Sequence, residues 1–255
     1  MPDILCETED GVATVTLNRP ALRNSVTFGM WREVGDIFSR LNEDRAVRSV
    51  ILTGAGDDFS AGADIAEFGS TRDDKAQSGT YEVAVDYGCA QIAHISKPVI
   101  AVVKGYCLGG GAHLAMSCDF RFAHPNAKFG IPAARLSIVY GVQATRKLAA
   151  LVGPTEAKHI LYSAERFDAH KARSIGFADR VEEEPLEAAR AYAHSLAASA
   201  PLTIGGAKYI LNGLALGTFD AGEASRLIDG ASDSHDYREG REAFAEKRPP
   251  AFLGA

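Results

Sequence analysis

Apolar residues in the first half of the chain alternate between strand-like and helical spacing. Residues 12–17 alternate after the turn sequence EDG, which predicts an antiparallel strand. Apolar side chains then recur at helical spacing over 27–42, with Thr27 as the predicted N-cap. The segments RSVILTG and SKPVIAVVKG predict two short buried strands. A triplet, Gly109 to Gly111, leads from an apolar run into a helix predicted over 112–116.

The second half of the chain is predominantly helical by the same criteria. The stretch CDFRFAHPNAKFGIP predicts two short strands around a His-Pro-Asn turn. Residues 71–95 are helical in composition, and further helices are predicted near 142–152, 154–164, 168–175 and 186–199. Breaks are expected at Gly153-Pro154 and Gly176, and amphipathic helices follow from Pro201. This order predicts an α/β fold with a helical C-terminal region.

Composition excludes several function classes. The chain has 255 residues and a net charge of −6, and no block of basic residues marks a site for nucleic acid or an anionic membrane. No apolar run is long enough to span a bilayer, and the acidic N-terminus does not resemble an export signal, so we expect a cytoplasmic protein. The four cysteines form no C-x-x-C pair and no H-E-x-x-H occurs, which predicts reduced thiols and no metal site.

Two glycine-rich loops each connect a predicted strand to a predicted helix. They are FSAGADI at 59–65 and GYCLGGGAHLAMSCD at 105–119. Neither has the G-x-G-x-x-G spacing of dinucleotide sites, and no G-K-[ST] occurs. Taken singly, each loop is explained by close packing of a helix on a sheet. Taken together, they could direct two backbone N–H groups at one carbonyl oxygen and so form an oxyanion hole.

These segments, in order, resemble the crotonase superfamily, the enoyl-CoA hydratase/isomerase proteins. The similarity includes VATVTLNRPALRNSV, SVILTGAGDDFSAGADI, the stretch KPVIAVVKGYCLGGGAHLAMSCDFRFAHPNAKFGIP, and DYREGREAFAEKRPPAF near the C-terminus. The resemblance implies a spiral of ββα units over 1–200 and a helical region over 201–255. It also implies trimers, often paired into hexamers, and an acyl-CoA thioester substrate with no separate cofactor, since coenzyme A is part of the substrate.

The resemblance also assigns site residues. It places the oxyanion hole at the N–H groups of Ala63 and Gly110. It implies coenzyme A contacts, those of the C-terminal pair often made in the adjacent subunit, at Arg23, Asn24, Ala61, Asp64, Ile65, Phe244 and Lys247.

The pattern departs from the resembling hydratases at two positions. They carry one glutamate two residues beyond the glycine triplet and another after the proline of FG-x-P, whereas this chain has His113 and Ala133. An ordinary two-glutamate hydratase is therefore not expected, because that pair activates water and returns a proton to the α-carbon. His113, kept neutral by the helix dipole, and Tyr140 are the candidate proton-handling or substrate-orienting residues.

Three other functions stay open at this point. They are a decarboxylase similar to methylmalonyl-CoA decarboxylase, a hydrolase, and an acyl-CoA binder without catalysis. Glu67 and Asp86 are reserve acids in the segment that follows the first loop.

Overall fold

A six-stranded sheet forms the centre of the protein in the computed structural model, which describes residues 2–255. The strand order is β1-β2-β3-β4-β6-β9. Only β1 and β2 are antiparallel, joined by a turn in which Asp10 and Gly11 both have positive φ. The strands are β1 (Ile4–Glu9), β2 (Val12–Leu17), β3 (Ser49–Gly54), β4 (Val99–Val103), β6 (Phe120–Ala123) and β9 (Arg180–Val181).

A smaller sheet lies beside it and contains β5 (Tyr106–Leu108), β7 (Lys128–Gly130) and β8 (Phe167–Asp168). Strand β4 belongs to the large sheet and β5 to the small one, and β6 and β7 repeat this alternation. A helix or helical turn follows each pair. This repeat is the spiral of ββα units that the family resemblance implies.

Helices account for most of the remaining chain. They are α1 (Phe28–Glu43), α2 (Phe68–Thr71), α3 (Lys75–His94), α4 (Gly110–Ser117), α5 (Val142–Ser163), α6 (Ala169–Ser174), α7 (Pro185–Ala197), α8 (Pro201–Leu216), α9 (Ala221–Ser232) and α10 (His235–Glu246). The predicted cap of α1 is correct, since the Thr27 hydroxyl accepts a hydrogen bond from the Met30 N–H. The predicted break in α5 is also correct, because Gly153 has non-helical backbone angles.

The large sheet is buried on both faces. Alternate residues of β3 point to opposite sides: Val50 and Leu52 join the core that contains α1, α3 and α4, whereas Ile51 packs in the cluster that contains Ala189 and Ala193 of α7. Burial on both faces explains why these strands are continuous apolar runs in the sequence.

Some predictions needed adjustment. The two strands around the His-Pro-Asn turn exist, but they pair with β4 and β5 and not with each other. Strands β1, β5, β8 and β9 are not among the predicted elements. Helices α8 to α10 follow Pro201 as expected, and α8 packs on α3 and α5; the division at residue 200 stays a prediction. Within residues 2–255, every helix is too short or too polar to cross a membrane.

Candidate active site

The two glycine-rich loops meet at a backbone junction between β5 and α4. The Ser60 N–H donates to the Tyr106 carbonyl at 2.8 Å, and the Leu108 N–H donates to the Ser60 carbonyl at 3.0 Å. Gly62 permits the approach because its φ is +103° and a Cβ there would lie 2.7 Å from the Leu108 carbonyl oxygen. The loops therefore form one structural unit, as the sequence predicts for a shared site.

This junction places the amide nitrogens of Ala63 and Gly110 close together. A Cβ on Gly110 would lie 3.2 Å from the Ala63 nitrogen, and a Cβ on Gly62 would lie 3.3 Å from the Gly110 nitrogen. Neither N–H donates a hydrogen bond to any atom of residues 2–255. For Gly110 the reason is its position as the first residue of α4, where an N–H has no partner within the helix.

Ala63 and Gly110 both line a cavity of about 120 Å³. Its walls are largely apolar and aromatic, and they include Trp31, Phe68, Tyr81 and Tyr140. A larger cavity of about 720 Å³ lies between residues 93–98, at the end of α3, and α8, but none of the predicted site residues lines it. The smaller cavity is thus the one that the predicted chemistry points to.

His113 lines this cavity from α4 and is almost fully buried, with 3% of its surface exposed. Its Nε2 has no hydrogen-bond partner within residues 2–255. Burial, assisted by the positive charge of Lys147, holds the pKa of His113 well below its usual value. The lowered pKa favours the neutral imidazole, and burial is its largest cause.

Tyr140 lies across the cavity, with its ring centre 6.2 Å from that of His113. Its hydroxyl donates to the Gly109 carbonyl at 3.1 Å, and burial raises the pKa of Tyr140 well above its ordinary value. Ala133, at the second position where the resembling hydratases carry a glutamate, also lines the cavity and is buried. No carboxylate is present at positions 113 and 133.

The comparison with protein-family models decides the relationship. The model described as enoyl-CoA hydratase/isomerase matches residues 7–255. The chain belongs to the enoyl-CoA hydratase/isomerase family. It is 33% identical over 251 residues to a short-chain-enoyl-CoA hydratase from Clostridium acetobutylicum, covering 96% of this chain and 95% of that protein. It is 36% identical over 268 residues to a crotonyl-CoA hydratase from Syntrophomonas wolfei, covering 98% of each.

Solved structures of the family share the fold. A crystal structure of an enoyl-CoA hydratase/carnithine racemase from Magnetospirillum magneticum has a TM-score of 0.94 at 33% identity, covering 100% of this chain and 97% of that one. An enoyl-CoA hydratase from Bacillus anthracis has a TM-score of 0.90 at 30% identity, with 100% of both chains covered. The predicted crotonase-like α/β fold is therefore confirmed.

The predicted coenzyme A residues of this family member divide into two groups. Arg23 is 60% exposed in its side chain, and its guanidinium lies 4.9 Å from the ring centre of Tyr106. Asn24 is fully buried; its Oδ1 accepts from the Arg19 N–H, and its Nδ2 donates to the carbonyls of Ala55 and Asp58, just before the first loop. Asp64 pairs with Arg19 at 2.8 Å, which helps to hold its pKa below the usual value despite the opposing effect of burial. Asn24 and Asp64 thus hold the segment 19–25 against residues 55–64.

Of the other predicted coenzyme A contacts, two line the cavity and two do not. Ala61 and Ile65 line the cavity. Phe244 and Lys247, at the end of α10, are exposed and are not among the cavity residues of the described chain.

Sequence reasoning missed the charged pair in the cavity wall. Arg72 and Glu82 are the two charged residues among those that line it. The reserve acids lie elsewhere: Glu67 accepts a hydrogen bond from the Phe28 N–H at the start of α1, and Asp86 lines a neighbouring surface groove. The weak apolar periodicity of α3 concealed which of its acids faces inward. The available signal was the position of Glu82, four residues before the predicted reserve acid Asp86 on α3. Residues at i and i+4 share one face of a helix.

Proposed function

We propose that this chain is an enzyme that binds an acyl-CoA thioester in the smaller cavity and stabilises its enolate. The observation that carries the proposal is the pair of free N–H groups of Ala63 and Gly110 beside one cavity. Two such donors would stabilise the negative charge that develops on the thioester oxygen, and they would act strongly because the surrounding walls are apolar.

The reaction that we propose first is addition of water to a 2-enoyl-CoA. Relatives that share about a third of their residues with this chain are named enoyl-CoA or crotonyl-CoA hydratases. Attack of water on the β-carbon moves the double-bond electrons toward the thioester oxygen. The N–H groups of Ala63 and Gly110 would donate hydrogen bonds to this oxygen and stabilise its negative charge. The positions at which the resembling hydratases carry glutamate hold His113 and Ala133 here. The proton would therefore be carried by a side chain other than those two glutamates.

Decarboxylation of a malonyl-type thioester is the second candidate. This reaction also passes through an enolate, but it requires no base, and an apolar cavity favours loss of a carboxylate as carbon dioxide. Tyr140 and Arg72 would orient that carboxylate from the cavity wall. Hydrolysis of an acyl group and acyl-CoA binding without chemistry are the remaining alternatives.

We also propose that the protein self-associates as a trimer or a dimer of trimers. Phe244 is 88% exposed, and neither it nor Lys247 lines the cavity of its own chain. A neighbouring copy would bring these residues to the coenzyme A of the adjacent site. Sedimentation with and without acyl-CoA measures this directly.

The experiment that tests the function uses the purified protein with enoyl-, methylmalonyl- and β-ketoacyl-CoA thioesters. Products are identified by mass, and affinity is measured by calorimetry with butyryl-CoA. Hydration predicts a gain of one water by the enoyl thioester, and decarboxylation predicts loss of carbon dioxide from methylmalonyl-CoA. Binding with every substrate returned unchanged would leave only the acyl-CoA binder, and absence of binding would overturn the proposal.

A further inference from the structure

Glu82 presents a carboxylate to the cavity from the third turn of α3. It lines the cavity together with Ala63, Gly110 and His113, so it shares one small space with the proposed oxyanion donors. Its side chain is 39% exposed, which is enough for contact with water entering from the adjoining groove. Glu82 is not among the residues that the sequence predicts to be catalytic.

The two oxygens of Glu82 have different surroundings. Oε1 accepts a hydrogen bond from Arg72 at 2.8 Å, whereas Oε2 accepts none from residues 2–255. A Cβ on Gly141 would lie 3.4 Å from Oε2, which places this oxygen beside the backbone that follows Tyr140. One oxygen is therefore anchored, and the other remains available to a bound molecule.

Arg72 is itself held in place. Its guanidinium lies 5.1 Å from the ring centre of Phe68 and 4.9 Å from that of Tyr81, and its side chain is only 16% exposed. A guanidinium packed between two rings has little freedom, so it fixes the orientation of the carboxylate to which it donates. Arg72 is a positioning residue in this arrangement.

The surroundings also adjust the acidity of Glu82. Burial raises its pKa and the charge of Asp86 adds to this effect, while Arg72 opposes it. A carboxyl group with a raised pKa gains and loses a proton more readily near neutral pH than an ordinary glutamate.

We propose that Glu82 is the catalytic residue that transfers the proton in the reaction of this site, with Oε2 as the atom that carries it. The proposal rests on the proposed function. In hydration, the water oxygen bonds to the β-carbon and its proton passes to Oε2, while the double-bond electrons move to the thioester oxygen. The enolate then collapses, and Oε2 returns a proton to the α-carbon. The product is a 3-hydroxyacyl thioester, and Glu82 is regenerated.

The test compares wild type with Glu82→Gln in two assays. Hydration of crotonyl-CoA is followed by the loss of enoyl-thioester absorbance. Exchange of the α-protons of butyryl-CoA in deuterium oxide is followed by proton NMR and reports enolate formation alone. We expect Glu82→Gln to lower kcat and the exchange rate at least ~100-fold. Its affinity for butyryl-CoA should stay within about twofold, since proton transfer and ligand binding use different groups.

Glu156→Gln is the matched control. Glu156 is also ion-paired, with Lys171 at 3.1 Å, and is 33% exposed, but it is outside the cavity. We expect wild-type rates from this variant. If Glu82→Gln does not fold, Glu82→Asp replaces it: shortening the side chain by one carbon withdraws the carboxylate by about 1 Å and should lower kcat ~10-fold or more.

The outcomes separate the two proposals. An active wild type with Glu82→Gln, or Glu82→Asp, within about threefold of its rate would overturn the role of Glu82 and leave the proposed function standing. A wild type that binds butyryl-CoA yet neither exchanges its α-protons nor turns over any thioester would overturn both.

Discussion

The hydroxyl of Tyr140 donates to the carbonyl oxygen of Gly109 at 3.1 Å, and this carbonyl shares its peptide group with the N–H of Gly110. The N–H of His113 donates to the same carbonyl, also at 3.1 Å. Two donors on the carbonyl side fix the plane of the peptide and polarise it, which strengthens the N–H on the opposite side as a donor. Tyr140 therefore acts on the proposed oxyanion site through the backbone.

Tyr140→Phe tests this indirect role. The change removes one hydrogen bond, worth about 1 kcal/mol, and leaves the ring in the cavity wall. We expect kcat to fall about threefold to tenfold with KM nearly unchanged, because the orientation of the Gly110 N–H matters most when charge develops on the oxygen. Steady-state kinetics with the substrate identified by the panel provides the measurement. A fall of ~100-fold or more would instead assign Tyr140 a direct part in proton transfer.

Gly110→Ala tests the requirement for glycine at the start of α4. A Cβ there would lie 2.9 Å from Cζ2 of Trp31 and 3.2 Å from the Ala63 nitrogen. The indole is held by a hydrogen bond from its Nε1 to the Tyr81 hydroxyl, so it has little room to withdraw. We expect the two amides to separate and kcat to fall ~100-fold or more.

The control for this change is Gly206→Ala in α8, where a Cβ would meet nothing within 4 Å. That variant should keep full activity and gain about 0.5–1 kcal/mol of stability, since alanine is the better helix former. Wild-type kcat in Gly110→Ala would contradict the proposed oxyanion site.

The sequence predicted the framework of this site because its determinants are local. Strand β3 and the cap of α1 are visible as a buried apolar run and a threonine before a periodic helix. The glycine loops were visible for the same reason, since positive φ and close approach leave few alternatives to glycine. Only the structure could bring Gly62 against the Leu108 carbonyl, because that contact joins separate parts of the chain.

The sequence did not reveal Glu82, and the reason is physical. Helix α3 packs on several neighbours and has small residues on more than one face, so its apolar pattern does not identify the inward side. The orientation of the Glu82 carboxylate depends on the hydrogen bond from Arg72, which lies in a separate short segment after α2. Pairings of this kind depend on tertiary packing and leave no local motif.

Substitutions at the adjacent residues Arg23 and Asn24 should have different effects, one on ligand affinity and the other on fold stability. The buried Asn24 makes three side-chain hydrogen bonds between backbone segments, so Asn24→Ala should lower the free energy of unfolding by about 2–4 kcal/mol. Arg23→Ala, at an exposed side chain, should change stability by less than about 0.5 kcal/mol but weaken butyryl-CoA binding. Urea denaturation and calorimetry measure the two effects. Unchanged affinity in Arg23→Ala, with wild-type salt dependence, would remove Arg23 from the coenzyme A site.

His113 should make stability depend on pH below neutrality. Its pKa in the folded protein is lowered, so the unfolded chain binds a proton that the folded chain excludes as pH falls below the ordinary histidine value of about 6.5. The free energy of unfolding should therefore decrease as pH falls through this range, with a limiting slope of about 1.4 kcal/mol per pH unit from this group.

His113→Leu removes the titration and should reduce the slope measured by urea denaturation between about pH 7.5 and pH 5.5. His159→Gln, at an exposed histidine, is the control for replacement of a histidine outside the cavity. Equal slopes in wild type and His113→Leu would show that His113 accepts its proton in the folded state, and the neutral imidazole inferred for the cavity would then be wrong.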